Sequence, residues 1–313
     1  MKPKILTITL NPSLDKTVLL GTNDKNNALD TRRESISAGG KGINVSRALR
    51  CLGYPSVATG FLGGDSGQRI KVRLRQEKIK TEFIPVQGTT RINYTFIEEK
   101  TGLSTRIFGI EAKITQRDIA LFLKKYKLLL RCADVVILSG RNVQGVADTF
   151  YADIIKIANQ LQKKVVLDTS LKSLVKGIRA RPFLIKPNIE EAQQVLNKRI
   201  QSKSALKQAL ISLHGMGPHH VVISLGSDGA VGFDGREFVC CHHPSFRVQN
   251  DVGCGDALIA GFIDGYYKTK DFSMAVKRGV LCGMSNALNL IPGKVNPRQF
   301  MNLNRKVILK KYI

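Results

Sequence analysis

Residues 249–262, QNDVGCGDALIAGF, place one carboxylate, Asp256, directly after the run Gly253, Cys254 and Gly255. Leu258, Ile259, Phe262 and Ile263 recur at helical spacing, so Asp256 is expected in a first helical turn. Two chemistries suit that position. An acidic side chain at a helix start can cap the end and complement its dipole. Alternatively, the backbone N–H groups of Gly253 to Gly255 face an anion, with Asp256 at its edge.

Five more stretches carry reactive or binding groups. SAGGKGINVSRAL (37–49) is a glycine-rich turn that runs into a helix. It is not a Walker A loop, because Gly42 follows Lys41 where Ser or Thr should hold magnesium. GCGDAL likewise fails the dinucleotide pattern at Leu258. What remains is close backbone approach at Gly39 and Gly40, a cation at Lys41 and an amide at Asn44, which suit a sugar or phosphate. A flexible strand-to-helix turn would use the same glycines. In TLNPSLDKT (9–17), Asp15 follows the first strand and can accept two hydroxyl hydrogen bonds from a polyol, or serve as a turn residue. In TTRINY (89–94), Arg91 offers a guanidinium fork for a phosphate.

LIKPNIEEAQ (184–193) sets Asn188 three positions before Glu191. That is the spacing of a capping box, and a Glu there can also hold water around a magnesium ion. VVISLGSDGAVGF (221–233) reads as strand, glycine turn, strand. Ser224, Gly226 and Gly229 either lie along a nucleotide or form an ordinary hairpin, for which Asp228-Gly229 is a strong signal.

These groups need a frame. Strand-like runs at 5–10, 57–61, 135–139, 165–168, 183–186 and 221–224 alternate with helical runs at 43–52, 68–78, 147–162, 190–196 and 205–214. Alternation with nearly continuous apolar strands implies an α/β fold, a mostly parallel sheet covered on both faces. Ligands then bind beyond the carboxyl ends of the strands. Residues 15–37 and 89–109 break the alternation with strand-like segments, expected to form a small separate sheet lying over the site as a lid. With no internal repeat or low-complexity linker, residues 1–313 are expected to form one domain.

Composition narrows the class. Six scattered cysteines without a C-x-x-C pair argue for reduced thiols rather than a disulfide frame. The run CCHHP (240–244) has consecutive candidate ligands, which alternate faces in a strand and do not converge on one ion. No apolar run approaches a membrane span and the N-terminal stretch lacks a signal-peptide core, so the cytoplasm is expected. Lys and Arg number 49 against 24 Asp and Glu, a formal charge of +25. Such a field attracts polyanions, and nucleic-acid binding is the rival class. The charge is spread along the chain, however, and no zinc-finger, RNA-recognition or homeodomain signature accompanies it. Attraction of small anionic substrates is the simpler account.

The order of the motifs is more specific than any one of them. N-P-x-x-D, G-G-K-G-x-N, T-R-x-N, K-P-N-x-x-E, S-L-G-x-x-G and G-x-G-D follow one another from about residue 10 to residue 293. The series resembles the ribokinase-like (PfkB) sugar kinases, in the branch of 1-phosphofructokinases and tagatose-6-phosphate kinases. The resemblance implies a three-layer α/β core with a β-sheet lid through which homodimers form. It also implies ATP- and Mg2+-dependent phosphorylation of a ketohexose phosphate, fructose 1-phosphate to fructose 1,6-bisphosphate foremost. Tagatose 6-phosphate or fructose 6-phosphate is the alternative substrate.

By the same resemblance Asp256 is the catalytic base and Gly253, Cys254 and Gly255 form the anion hole. Asp15, Gly39, Gly40, Lys41, Asn44, Arg91 and Ser139 fall at sugar-phosphate positions. Ser224, Gly226, Gly229 and Asn286 fall at ATP positions, and Asn188 and Glu191 at the magnesium-associated motif. Two departures stand out. Cys254 replaces the usual Ala or Ser, and SGRNVQG (139–145) stands where the family reads Ser-Gly-Ser-Leu-Pro-Pro-Gly. Arg141 must there point to solvent or enter the pocket as a further phosphate-seeking cation, and solvent is the expected outcome because it avoids burying an unpaired charge.

Overall fold

The apolar runs read from the sequence become the middle strands of one large sheet. A computed structural model describes residues 2–23, 28–101 and 103–312. The strands are β1 (Ile5–Thr9), β2 (Ser13–Asn23), β3 (Ala28–Gly39), β4 (Ser56–Leu62), β5 (Lys80–Thr81), β6 (Ile84–Pro85), β7 (Ile92–Glu98) and β8 (Ser104–Ile107). They continue as β9 (Val135–Ser139), β10 (Lys164–Asp168), β11 (Leu184–Ile185), β12 (His220–Ser224), β13 (Ala230–Phe233), β14 (Phe238–His242) and β15 (Ile308–Tyr312). The helices are α1 (Lys41–Cys51), α2 (Gly64–Gln76), α3 (Gln116–Leu130), α4 (Phe150–Gln160) and α5 (Leu171–Ile178). After them come α6 (Ile189–Leu196), α7 (Lys203–Gly215), α8 (Cys254–Thr269), α9 (Phe272–Ala287) and α10 (Phe300–Asn304).

The large sheet runs β15-β14-β13-β12-β11-β10-β9-β1-β4-β5, with β6 also paired to β4. Pairing is parallel from β5 across to β12 and antiparallel from β12 to β15. Successive strand side chains feed opposite faces. In β9, Val136 and Leu138 pack with Phe122, Tyr126, Tyr151 and Leu213 of the α3, α4 and α7 layer. Val135 and Ile137 of the same strand pack with Val45, Ile259, Phe262 and Val280 of the α1, α8 and α9 layer. The result is three layers with two apolar cores, as the alternation of elements implied.

A second sheet, β3-β2-β7-β8, stands apart from the first. It arises where the sequence alternation breaks. Leu14, Ala38 and Ile43 pack beneath it with Ile70 and Leu74 of α2. Its register sets Asp15 opposite both Ser37 and Asn93. Because β2 follows β1 closely and β3 runs into α1, this sheet roots at the carboxyl end of β1.

Helix starts divide into two kinds. Thr115, Asn188, Ser202 and Asp271 cap α3, α6, α7 and α9 with their side chains. Among the described residues the other six lack a side-chain cap, and of these α1 and α8 begin on glycines of positive φ, Gly40 (φ 122°) and Gly253 (φ 84°). Such backbone values favour glycine, and the uncapped starts leave N–H groups free for something other than the protein. Among the described residues no helix is long and apolar enough to cross a membrane.

Candidate active site

Beyond the carboxyl ends of β1, β9, β10 and β11, the starts of α1 and α8 approach one another. Asp256, 4% exposed, sits in the first turn of α8 and accepts a 2.8 Å hydrogen bond from Asn44 Nδ2 of α1. The amide is itself held. Arg47 donates 3.0 Å to Asn44 Oδ1, and also to the Pro292 and Ala38 carbonyls and to Glu77. Burial, reinforced by the negative charge of Asp168, pushes the Asp256 carboxyl up to about 6. Lys41, the Asn44 hydrogen bond and Lys186 hold it from rising further.

Around Asp256 the backbone is bare. Among the described residues the N–H groups of Gly255 and Asp256 have no hydrogen-bond partner, and that of Cys254 reaches only the Asp251 carbonyl at 3.4 Å. A Cβ on Gly255 would lie 3.0 Å from Lys186 Nζ, and one on Gly253 would lie 2.9 Å from Gly293 N. The glycines therefore let a lysine and a second loop close on the helix start. Partial positive charge from the helix end adds to that of the lysine.

Asp168, at the end of β10 and 1% exposed, joins two cations. Lys41 Nζ lies 3.5 Å from Oδ2 and Lys186 Nζ lies 3.2 Å from Oδ1. Burial alone would raise the Asp168 carboxyl, but Lys186 and Lys41 together hold it below the usual range. Asp168 in turn raises Lys41. The two lysines differ in exposure: the Lys186 side chain is 5% exposed and that of Lys41 is 43% exposed, so Lys41 faces the open space.

On the side of the small sheet, Asp15 accepts from Ser13 Oγ at 2.7 Å and from Asn93 Nδ2 at 2.9 Å. Its carboxylate lies against Gly39, where any Cβ would collide with it. Arg91 is half-buried and donates to the carbonyls of Asn11 (3.1 Å) and Pro12 (3.4 Å). Burial lowers Arg91, and the positive charge of Arg141 lowers it further. The Arg141 side chain is 58% exposed, as expected for solvent, yet it lies on the rim of this space with one nitrogen 4.0 Å from Glu111 Oε2.

On the opposite side Asn188 and Glu191 form a reciprocal capping box, at 2.7 Å and 3.0 Å. Glu191 Oε2 is used there, and among the described residues Oε1 has no hydrogen bond. Asn188 also bridges to Ser224 at the end of β12. Residues 226–228 form a short 3-10 turn between the antiparallel strands β12 and β13, with Gly226 and Gly229 at φ 60° and 94°. The hairpin reading of this stretch is thus physically realised, whatever ligand lies along it.

Two residues do not face the open space as the sequence led one to expect. Ser139 is fully buried and donates to Asp168 Oδ2 at 3.2 Å, because β9 and β10 pair in register at that point. Asn286 is also fully buried. Its amide donates to the Val252 carbonyl (2.9 Å) and Cys254 Sγ (3.3 Å), and its oxygen accepts from Gly293 N (2.6 Å). It braces the loop before α8, and no donor is left over for a nucleotide base. Sequence reasoning passed over Asp168 and Glu111 and assigned no part to Lys186 and Asn93. Lys186 and Asn93 lay inside the motifs K-P-N and T-R-x-N, while Asp168 gave a weaker signal, an acidic residue ending an apolar strand.

A three-layer α/β body with a largely parallel sheet and a separate small sheet, its charged groups gathered at the strand ends, defines a ribokinase-like fold. The chain belongs to the pfkB family of carbohydrate kinases, whose model matches residues 9–290. It is 34% identical over 285 residues to 1-phosphofructokinase of Bacillus subtilis (strain 168), covering 91% of this chain and 93% of that protein. It is 31% identical over 310 residues to tagatose-6-phosphate kinase of Staphylococcus epidermidis, covering 97% of this chain and 98% of that protein. The solved phosphofructokinase-2 from Escherichia coli, in complex with potassium, superposes with a TM-score of 0.89. It covers 97% of this chain and 98% of that one at 23% identity, a likeness of fold alone.

Proposed function

We propose that the chain transfers the γ-phosphoryl group of ATP to a ketohexose phosphate, converting fructose 1-phosphate to fructose 1,6-bisphosphate. The observation that carries this reading is the pairing of Asp256, raised to about 6, with unpaired N–H groups in the same helical turn. A carboxylate of that basicity takes a proton from a sugar hydroxyl as its oxygen attacks the γ-phosphorus. The bond from phosphorus to the β,γ-bridging oxygen breaks and ADP leaves. The N–H groups of Gly255 and Asp256, with Lys186 beside them, stabilise the charge on the phosphoryl oxygens in transit. Lys41 and Arg91 anchor the phosphate already on the sugar, and Asp15 and Asn93 receive its hydroxyls.

Magnesium fits this donor set in one way. Among the described residues no three carboxylate, His or Cys side chains gather as a dedicated cage. Glu191 keeps one free oxygen, enough to hold an ion through water while nucleotide phosphates supply the rest. Held there, the ion would supply positive charge to offset that of the phosphates. The small sheet serves as the lid over the sugar, and the exposed Ile107 of β8, with Leu103 just before that strand, is the surface on which two copies pair.

The relation to tagatose-6-phosphate kinase supports a second substrate, tagatose 6-phosphate. ADP release measured with fructose 1-phosphate, fructose 6-phosphate, tagatose 6-phosphate, fructose and a nucleoside decides among them. Highest kcat/KM on fructose 1-phosphate is expected. Preference for a nucleoside or free sugar would overturn the reading.

A further inference from the structure

Resting on that reading, we propose that Arg141 is a specificity-determining residue, a second guanidinium for the substrate's existing phosphate, held at rest beside Glu111. Three observations converge on it. First, Arg141 is poorly satisfied by the protein. Its 4.0 Å approach to Glu111 is an ion pair without a hydrogen bond, and Glu111 already accepts from the Asn11 amide. Among the described residues the Arg141 guanidinium makes no hydrogen bond and no other ion pair.

Second, Arg141 and Arg91 are neighbours of like charge, close enough that Arg141 depresses Arg91. Arg91 donates to the carbonyls of Asn11 and Pro12 from Nη2 and Nε, and among the described residues its Nη1 makes no hydrogen bond. Two forks that repel one another are relieved by a dianion between them. A phosphate ester, with three terminal oxygens, accepts from both.

Third, the backbone under Arg141 is fixed, so only the side chain has to move. Gly140 (φ 105°) has its carbonyl bound by Tyr151 Oη at 2.9 Å. Asn142 ties the next residue to the Ala147 carbonyl and to Ser173 Oγ, both at 3.0 Å. A side chain swinging from an anchored loop orders few degrees of freedom when it binds. Position 141 thus carries a charge at the mouth of the sugar space, directed at the part of the ligand that distinguishes a sugar phosphate from a sugar.

Calorimetric titration of the full chain with fructose 1-phosphate and with fructose, in the wild type, Arg141→Ser and Arg141→Lys, tests this. Arg141→Ser should weaken fructose 1-phosphate at least about tenfold, the scale of a charge-assisted contact, and fructose less than about threefold. Arg141→Lys, which keeps the charge and loses the fork, should recover part of the loss. Sugar-phosphate affinity within about threefold in Arg141→Ser, or equal weakening of both ligands, overturns the assignment. Binding that depends on Arg141 in a protein that transfers no phosphoryl group would sustain this inference and sink the kinase reading.

Discussion

Asn44 and Asp256 lie 212 positions apart in the chain and are joined by a 2.8 Å hydrogen bond between the first turns of α1 and α8. Arg47 orients the amide from behind, so Asn44 turns its NH2 toward the carboxylate. The contact holds the proposed base at the point where two uncapped helix starts meet. It also restrains a carboxyl group that burial drives upward.

That restraint gives a pH prediction. Asp256 acts as base only when ionised, so kcat should fall as pH drops through about 6, following a single ionisation. In Asn44→Ala the hydrogen bond that favours the charged form is lost, and the midpoint should move to higher pH. Rate profiles of both proteins between pH 5 and 9 check this. A midpoint that stays in place, or moves down, would mean that the limb reports another group.

Stability should move in the opposite sense to activity. Asp256 is raised to about 6 in the folded chain from its ordinary value of 3.8. Its proton is held more tightly when folded, so the favourable contribution is complete below 3.8 and lost as pH rises through about 6. At pH 8 the ionised group is therefore a cost, which Asp256→Asn removes. We expect that variant to be more stable by about 1–3 kcal/mol at pH 8, with the gain shrinking toward pH 5. Thermal unfolding at both values measures it, and a gain independent of pH would assign it to packing instead.

Asp168 should prove structural and functional together. Asp168→Asn leaves Lys186, 5% exposed, without its counter-charge. Breaking a buried pair from one side costs about 3–5 kcal/mol, and removing both partners costs less. Urea unfolding should show a large loss in Asp168→Asn that the double variant Asp168→Asn, Lys186→Met partly recovers. A single variant as stable as wild type contradicts the pairing.

The sequence disclosed the middle of the fold better than its edges. β1, β9, β10 and β12 have mostly apolar sequences with buried central residues, so their composition alone sets them apart. No strand is read from the sequence in the lysine-rich stretch 304–313, yet Ile308–Tyr312 closes the sheet as β15 against β14. There Lys310 and Lys311 lie on an edge strand, where charge is favoured and hides the strand pattern. Helix α3 was passed over although its start at Thr115 and Asp118 is a capping box. In the site, glycine-linked motifs were legible because backbone approach restricts residue type. Asp168 was not, since its significance lies in lysines brought to it from α1 and from the end of β11. Ser139 and Asn286 sat at the expected positions in the chain, and only the packing reveals that their polar groups are spent inside the protein.

The central claim is that Asp256 removes the proton from the attacking sugar hydroxyl. Steady-state kinetics of Asp256→Asn with ATP and fructose 1-phosphate test it most directly, because the substitution keeps size and the acceptor for Asn44 while removing the base. The account predicts a loss of kcat of at least about a hundredfold, with both KM values within a few-fold of wild type. A variant that retains kcat within about threefold of wild type would contradict it.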